Sequence, residues 1–66
     1  MSKPNIATKN LSAITELLIA ENLQYKKCIA YSSQVQDPDL QATLDHMAEC
    51  HRNRYDGLLD YLDSHQ

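Results

Sequence analysis

Three ionisable side chains are placed to do chemistry together if the chain folds as its pattern predicts: Glu21, His51 and Arg54. A carboxylate, an imidazole and a guanidinium at one level of a helical core can form an ion pair or a hydrogen-bonded network, because buried charges persist when they are paired. The carboxylate and the imidazole also suit zinc and iron as ligands. Either chemistry requires helices that bring distant parts of the chain into contact.

Three arrangements of these residues are open. In the first, Glu21 pairs with its neighbours in a core polar network of Glu21, Tyr25, His51, Arg54 and Tyr55. In the second, two copies related by a two-fold axis supply two Glu21 and two His51 side chains to a zinc or iron ion. In the third, Glu21 turns to solvent. Because the second half of the chain has no Glu-x-x-His at the matching place, the ligand set is incomplete and we expect no resident cofactor.

The second candidate for chemistry is the pair His46 and Cys50, spaced i, i+4 on one helical face, with Cys28 from the facing helix. This set has zinc-ligand chemistry, whereas the alternative for Cys28 is a small buried apolar residue. We expect free thiols, because facing helices lie ~8–10 Å apart and disulfide Cα atoms lie within about 7 Å. No cysteine or serine has the base and orienting group of a nucleophile, so we predict no catalytic residue and no enzyme.

Two amphipathic helices must position these residues. The first stripe recurs at alternating spacings of three and four and consists of Leu11, Ile14, Leu18, Glu21, Tyr25, Cys28, Ser32 and Val35. The second stripe consists of Leu40, Leu44, Met47, His51, Tyr55, Leu58 and Leu62. We predict helix 1 over about 10–36, with Asn10 or Thr8 as its N-cap, after a flexible tail of residues 1–9.

The connection between the helices is a tight turn at 37–38. Asp37 is a good N-cap residue, Pro38 suits the first helical position, and Asp39 favours the positive end of the helix dipole. Helix 2 is predicted over about 38–64. A connection this short makes the helices antiparallel, and the register then places Cys28 opposite Met47, Tyr25 near His51, and Glu21 near Arg54 and Tyr55.

The predicted fold is therefore all-α, one domain over 10–66, formed by an antiparallel two-helix hairpin. Chains this short bury little surface and usually need a partner. Helix 1 is also apolar beyond its first stripe, and packing against helix 2 alone leaves five of its residues uncovered: Leu17, Ile19, Leu23, Ile29 and Tyr31. We predict that hairpins form a homodimer, or a higher even assembly, with a four-helix bundle. The predicted oligomer interface contains Leu11, Ile14, Leu17, Leu18, Leu23, Leu58 and Leu62.

Composition argues against several classes of partner. The net charge of −3 and the absence of a basic patch argue against nucleic acid. No run of apolar residues approaches ~18, so no membrane association is expected. The first residues, 1–5, contain no apolar stretch typical of a signal peptide, and we therefore expect a cytoplasmic protein.

Several segments carry a resemblance to a known superfamily: Glu16-Leu17-Leu18, Glu21-Asn22-Leu23, Asp37-Pro38-Asp39-Leu40 and Ala48-Glu49-Cys50-His51-Arg52. After residue 10 the chain resembles ferritin-like proteins, and is most similar to the small rubrerythrin-like and spore-coat F-like helical hairpins. The resemblance implies a ferritin-like hairpin with either a structural role in a spore coat, and hence spore association, or a role in iron handling.

Residue by residue, the resemblance carries over only one metal ligand, Glu21. His51 fits either the His of Glu-x-x-His, with Ala48 in place of the Glu, or the Glu position, with Arg54 in place of the His. Either departure leaves a degenerate di-iron site. We therefore predict a non-catalytic, self-assembling protein with a structural or interaction role; the alternative is a ferritin-like iron- or zinc-binding protein whose site lies in the bundle core between subunits.

Overall fold

Two long helices account for almost all of the chain that the computed structural model describes, residues 7–65. Helix α1 spans Thr8–Gln34 and helix α2 spans Pro38–Ser64, and the two pack against each other along their lengths. The described residues contain no strand. The prediction of an all-α antiparallel hairpin is confirmed.

The N-terminal end of α1 differs from the prediction. The N-cap residue is Ala7, whose side chain makes no capping hydrogen bond, so neither Asn10 nor Thr8 is the N-cap. Residues 8 and 9 belong to the helix rather than to the predicted tail, and residues 1–6 of that tail lie outside the described residues. The helix begins here because Ala7 already accepts a hydrogen bond from Leu11 N–H at 2.9 Å, which closes the first turn.

The turn has the capping chemistry that the sequence predicts. The Asp37 carboxylate accepts hydrogen bonds from the backbone N–H of Asp39, at 2.9 Å, and of Leu40, at 3.4 Å. Pro38 occupies the first helical position, where no N–H is needed. Helix α1 ends at Gln34, two residues before the predicted end at 36, because Val35 already adopts extended backbone.

The side chains of α1 that face α2 are those of the predicted stripe. Positions 14, 18, 21, 25, 28, 32 and 35 are buried or half-buried, whereas Leu11, at the open end of the hairpin, stays exposed. The stripe of α2 is partly different from the prediction. Leu40 and Met47 are each 44% exposed, and Gln41 and Ala48 take their places.

Close packing and hydrogen bonding explain why Gln41 and Ala48 face α1 in place of Leu40 and Met47. Ala48 is the most buried side chain of the hairpin, at 2% exposed, and Cys28 of α1 is also buried. Small side chains in the seam let the two helices approach, which a methionine at the same place would prevent. Gln41 turns inward because its amide donates a hydrogen bond of 2.9 Å to the Val35 carbonyl, an orphaned acceptor at the end of α1.

The hairpin buries very little. Among the described residues only Ile14, Cys28 and Ala48 are buried. Exposed large apolar side chains are far more numerous, and they are Leu11, Leu17, Ile19, Leu23, Ile29, Tyr31, Leu40, Met47, Leu59 and Tyr61. The predicted uncovered residues of α1 are thus confirmed as exposed. Neither described helix combines the length and apolarity that crossing a bilayer requires.

The turn generates the first testable prediction. Replacing Asp37 by Ala removes the acceptor for two N–H groups of α2, so the free energy of unfolding should fall by about 1 kcal/mol. Asp37→Asn, which keeps a side-chain oxygen, is the matched control and should lose much less. Urea denaturation of all proteins at one chain concentration measures the difference, and equal losses for both variants would contradict the capping role.

Candidate functional site

A half-buried polar contact joins Glu21 of α1 to His51 of α2. The distance between Glu21 Oε1 and His51 Nδ1 is 2.5 Å, and both side chains are 17% exposed. The two residues occupy seam positions of their helices, and the antiparallel packing brings them level. The contact therefore depends on the whole register of the hairpin and fixes that register in return.

The geometry defines which nitrogen of the imidazole is engaged. When Glu21 is ionised it only accepts hydrogen bonds, so the form of His51 that fits this contact has its N–H at Nδ1 and donates a hydrogen bond to Glu21. When the ring is neutral, Nε2 then keeps its lone pair. A carboxylate that orients an imidazole in this way is typical of histidines that bind a metal through the other nitrogen, although the same pair is also a complete structural hydrogen bond.

Two tyrosines and one arginine lie next to this pair, and the arginine is not the one that the sequence predicts. The Arg52 guanidinium carbon lies 5.9 Å from the ring centroid of Tyr25 and 6.0 Å from that of Tyr55. Arg52 also donates a hydrogen bond of 3.2 Å to Asp56 one turn further on. Arg54 is exposed instead. It does not join the network as predicted, because position 54 lies on the row beside the seam positions 51, 55 and 58 and not on the seam.

The network is thus smaller than predicted. Glu21 and His51 bind each other directly, whereas Tyr25 and Tyr55 contact the Arg52 cation through their ring faces. Within the described range, neither tyrosine hydroxyl forms a hydrogen bond with Glu21. Sequence reasoning missed Arg52 because position 52 lies off the predicted stripe of α2, while its long side chain reaches back over the aromatic rings.

The second predicted cluster is only partly assembled. Cys50 Sγ and His46 Nε2 lie 3.7 Å apart on the surface of α2. Cys28 is buried in the seam and does not complete a three-ligand group with them. Both cysteines are free thiols, as predicted.

A complete metal site is not found within one hairpin. Across residues 7–65, no three His, Cys, Asp or Glu side chains come together in a group that can hold an ion. Glu21 and His51 supply only two donor residues, and these are bonded to each other. A single chain therefore does not fit iron or zinc by itself, and any such site needs donors from a second chain.

The residues of the predicted oligomer interface divide into two groups. Ile14 is buried and Leu18, Leu58 and Leu62 are half-buried in the seam between α1 and α2, so one chain already uses them. The others, Leu11, Leu17 and Leu23, remain exposed. The division arises because the contact between α1 and α2 covers one stripe of each helix and leaves the neighbouring rows exposed.

Comparison with known proteins adds no assignment. No protein-family model, no curated protein and no solved structure matches this chain.

A double-mutant cycle tests the Glu21–His51 contact. Glu21→Leu alone should lower the free energy of unfolding by about 1–3 kcal/mol, because His51 is left half-buried without its acceptor. His51→Leu alone should lower the free energy of unfolding by a similar amount, because Glu21 is then left half-buried without its hydrogen-bond donor. The double variant should recover most of the loss, since an apolar pair of similar volume replaces a half-buried hydrogen-bonded pair at little cost.

Urea denaturation at matched chain concentration measures the cycle. Asn53→Leu is the control: it is exposed and lies on the side of α2 away from the seam, so it should change stability by less than about 0.5 kcal/mol. Additive losses in the double variant would show that the two side chains do not interact.

Proposed function

We propose that this protein is a non-catalytic assembly module whose hairpins associate into a homodimer, or a higher even assembly, with a four-helix bundle. The observation that carries the proposal is that far more large apolar side chains are exposed than are buried. Three side chains are buried among the described residues, whereas ten large apolar side chains remain exposed. Monomeric soluble proteins rarely leave apolar surface of this extent uncovered.

The energetics of a two-helix unit support the same proposal. Ordering each residue costs ~1–2 kcal/mol of backbone entropy, and in helical proteins the compensation comes mostly from burying an amphipathic face. A hairpin covers only one side of each helix. A second hairpin packed on the first would bury the rows next to the seam and complete a bundle, and a two-fold axis is the commonest way to close such an assembly.

The chemistry of the described residues favours assembly over catalysis. The half-buried ionisable groups Glu21 and His51 are satisfied by each other, which is what a contact that fixes register requires. Such a building block suits a structural or interaction role. The ferritin-like likeness of the sequence suggests a coat or shell, including the coat of a spore, as the setting.

Sedimentation equilibrium tests the proposal. At micromolar chain concentrations the mass should be at least twice that of the 7.5 kDa chain, and dilution should lower both the mass and the helical circular dichroism signal together. The coupling is expected because the exposed apolar rows stabilise the helices only when they are covered. A folded 7.5 kDa monomer at these concentrations would refute the proposal.

A second candidate function is binding of iron or zinc between subunits, and one observation favours it. Glu21 engages Nδ1 of His51 and so leaves Nε2 as the ligand atom. Two such pairs related by a two-fold axis would supply two imidazoles and two carboxylates, a set that suits either metal. The protein would then be a ferritin-like metal-binding protein rather than a purely structural one.

Metal analysis of protein purified without a tag separates the two candidates. The metal-binding function predicts one ion per two chains when Zn(II) or anaerobic Fe(II) is added, lost in His51→Ala and weakened in Glu21→Ala. His46→Ala is the matched control, because this histidine lies on the surface away from the pair. A wild-type protein that binds no stoichiometric metal, and whose melting temperature is unchanged by either ion, would eliminate the second candidate.

A further inference from the structure

The two broad faces of the hairpin differ in chemistry. Helical periodicity places positions 17 and 31 of α1 and positions 40, 47 and 61 of α2 on one side of the seam. The side chains on this side, named here the apolar face, are Leu17, Tyr31, Leu40, Met47 and Tyr61, and all are exposed. The opposite side, named here the acidic face, carries Asp45, Glu49, Asp56 and Asp63 of α2.

Contacts across the seam confirm this division. A groove of about 310 Å³ lies between the helices and is lined by Asn10, Ala13, Ile14, Leu58 and Tyr61, so these side chains of both helices share the apolar-face side. On the other side, Ser32 donates a hydrogen bond to Asp45. Arg52 also lies over Tyr25 and Tyr55 on that side.

Charge decides which face a second hairpin can cover. Among the described residues the apolar face carries two ionised residues, Lys27 and Arg54, both with long side chains that can reach its rim. The acidic face also carries Lys26 and Arg52, but its four carboxylates outnumber them, so pairing two acidic faces would bring together surfaces of the same net charge, which costs free energy. The rows that border the apolar face contain the carboxylates Glu16 and Asp60, so a two-fold copy can offer them as partners for Lys27 and Arg54.

The area and shape of the apolar face also suit the binding of a second hairpin. A helix of 27 residues is ~40 Å long. With the 17 Å width of the hairpin, that length gives roughly 700 Å² per copy, close to the ~800 Å² that each partner buries in a stable complex. Small residues alternate with the large ones on α2. Gly57 is one of them, and a Cβ added there would meet nothing within 4 Å, so this part of the face is open to a close approach.

From these observations we infer that a second copy of this chain seats on the apolar face, and that the acidic face remains toward solvent. The inference rests on the proposed function and specifies its interface. Glu21 and His51 lie one heptad from Ile14 and Leu58, which line the groove on this side. Each Glu21–His51 pair therefore lies directly beneath the interface and is covered by the second hairpin.

Substitutions on the two faces test the assignment. Leu17→Asp or Met47→Asp should weaken self-association by about 30-fold or more, because a carboxylate would be buried at the centre of the contact. Ile19→Asp and Leu59→Asp are matched controls: both residues are large, apolar and exposed, but lie on the acidic face. They should leave the association constant within about 3-fold of the wild-type value.

Thiol labelling shows which face is covered in the assembled protein, even if an aspartate variant fails to fold. In a Cys28→Ala/Cys50→Ala background, Met47→Cys and Leu59→Cys place probes on opposite faces of α2, at sites that are 44% and 39% exposed in the hairpin. In the assembled protein, maleimide should modify the probe at position 47 at least about 10-fold more slowly than the probe at position 59.

The possible results distinguish a wrong proposed function from a wrong assignment of the interface to the apolar face. A wild-type protein that is a folded monomer overturns both the proposed function and the assigned face. A wild-type oligomer in which position 59 is protected and position 47 is labelled overturns the face alone, as does an oligomer that is dissociated only by Ile19→Asp or Leu59→Asp.

Discussion

The packing of one helix stripe against another is the constraint on which the rest of this structure depends. Two helices can cover only one side of each other, and in this chain the covered stripes contain mostly half-buried groups. Where the helices approach most closely, the side chains are small: Ala48 on α2 and Cys28 on α1 are buried. The hairpin therefore gains a defined register and close helix contact, but little buried apolar area with which to offset the entropy of ordering the chain.

The polar contacts of the seam serve this register. Glu21 and His51 satisfy each other, Gln41 satisfies a carbonyl at the end of α1, and Asp37 caps α2. The first two contacts tie one helix to the other and would be lost if α2 slid by one turn, whereas the Asp37 cap fixes where α2 begins. Polar groups that contribute little net stability can in this way exclude alternative alignments of two helices, which apolar side chains alone do less well.

The uneven distribution of side chains on the two outer faces links the hairpin to its proposed assembly. Five large exposed apolar residues lie on the apolar face, whereas the acidic face combines carboxylates with fewer such residues, Ile19 and Leu59 among them. The Glu21–His51 pair lies on the apolar-face side, one heptad from Ile14 and Leu58, which line the groove. Assembly and the candidate metal chemistry are therefore not independent, since a second copy on this face would both bury the pair and bring a second pair towards it.

The sequence by itself determined the two helices, the capped turn and the stripe of α1, because each of these follows from local periodicity and from Asp37-Pro38 chemistry. It also placed Glu21 and His51 on the facing stripes, but only the structure decided that they pair with each other, because the predicted register set Tyr25 near His51 and Glu21 near Arg54 and Tyr55. Only the tertiary structure decided which row of the first half of α2 faces α1: Ala48 is buried, whereas Leu40 and Met47 are exposed. Leu40 and Met47 are the more apolar side chains, so periodicity favoured them over Gln41 and Ala48. The choice was made by the hydrogen bond of Gln41 and by the small volume of Ala48, and the tertiary packing also placed Arg52 beside the tyrosines.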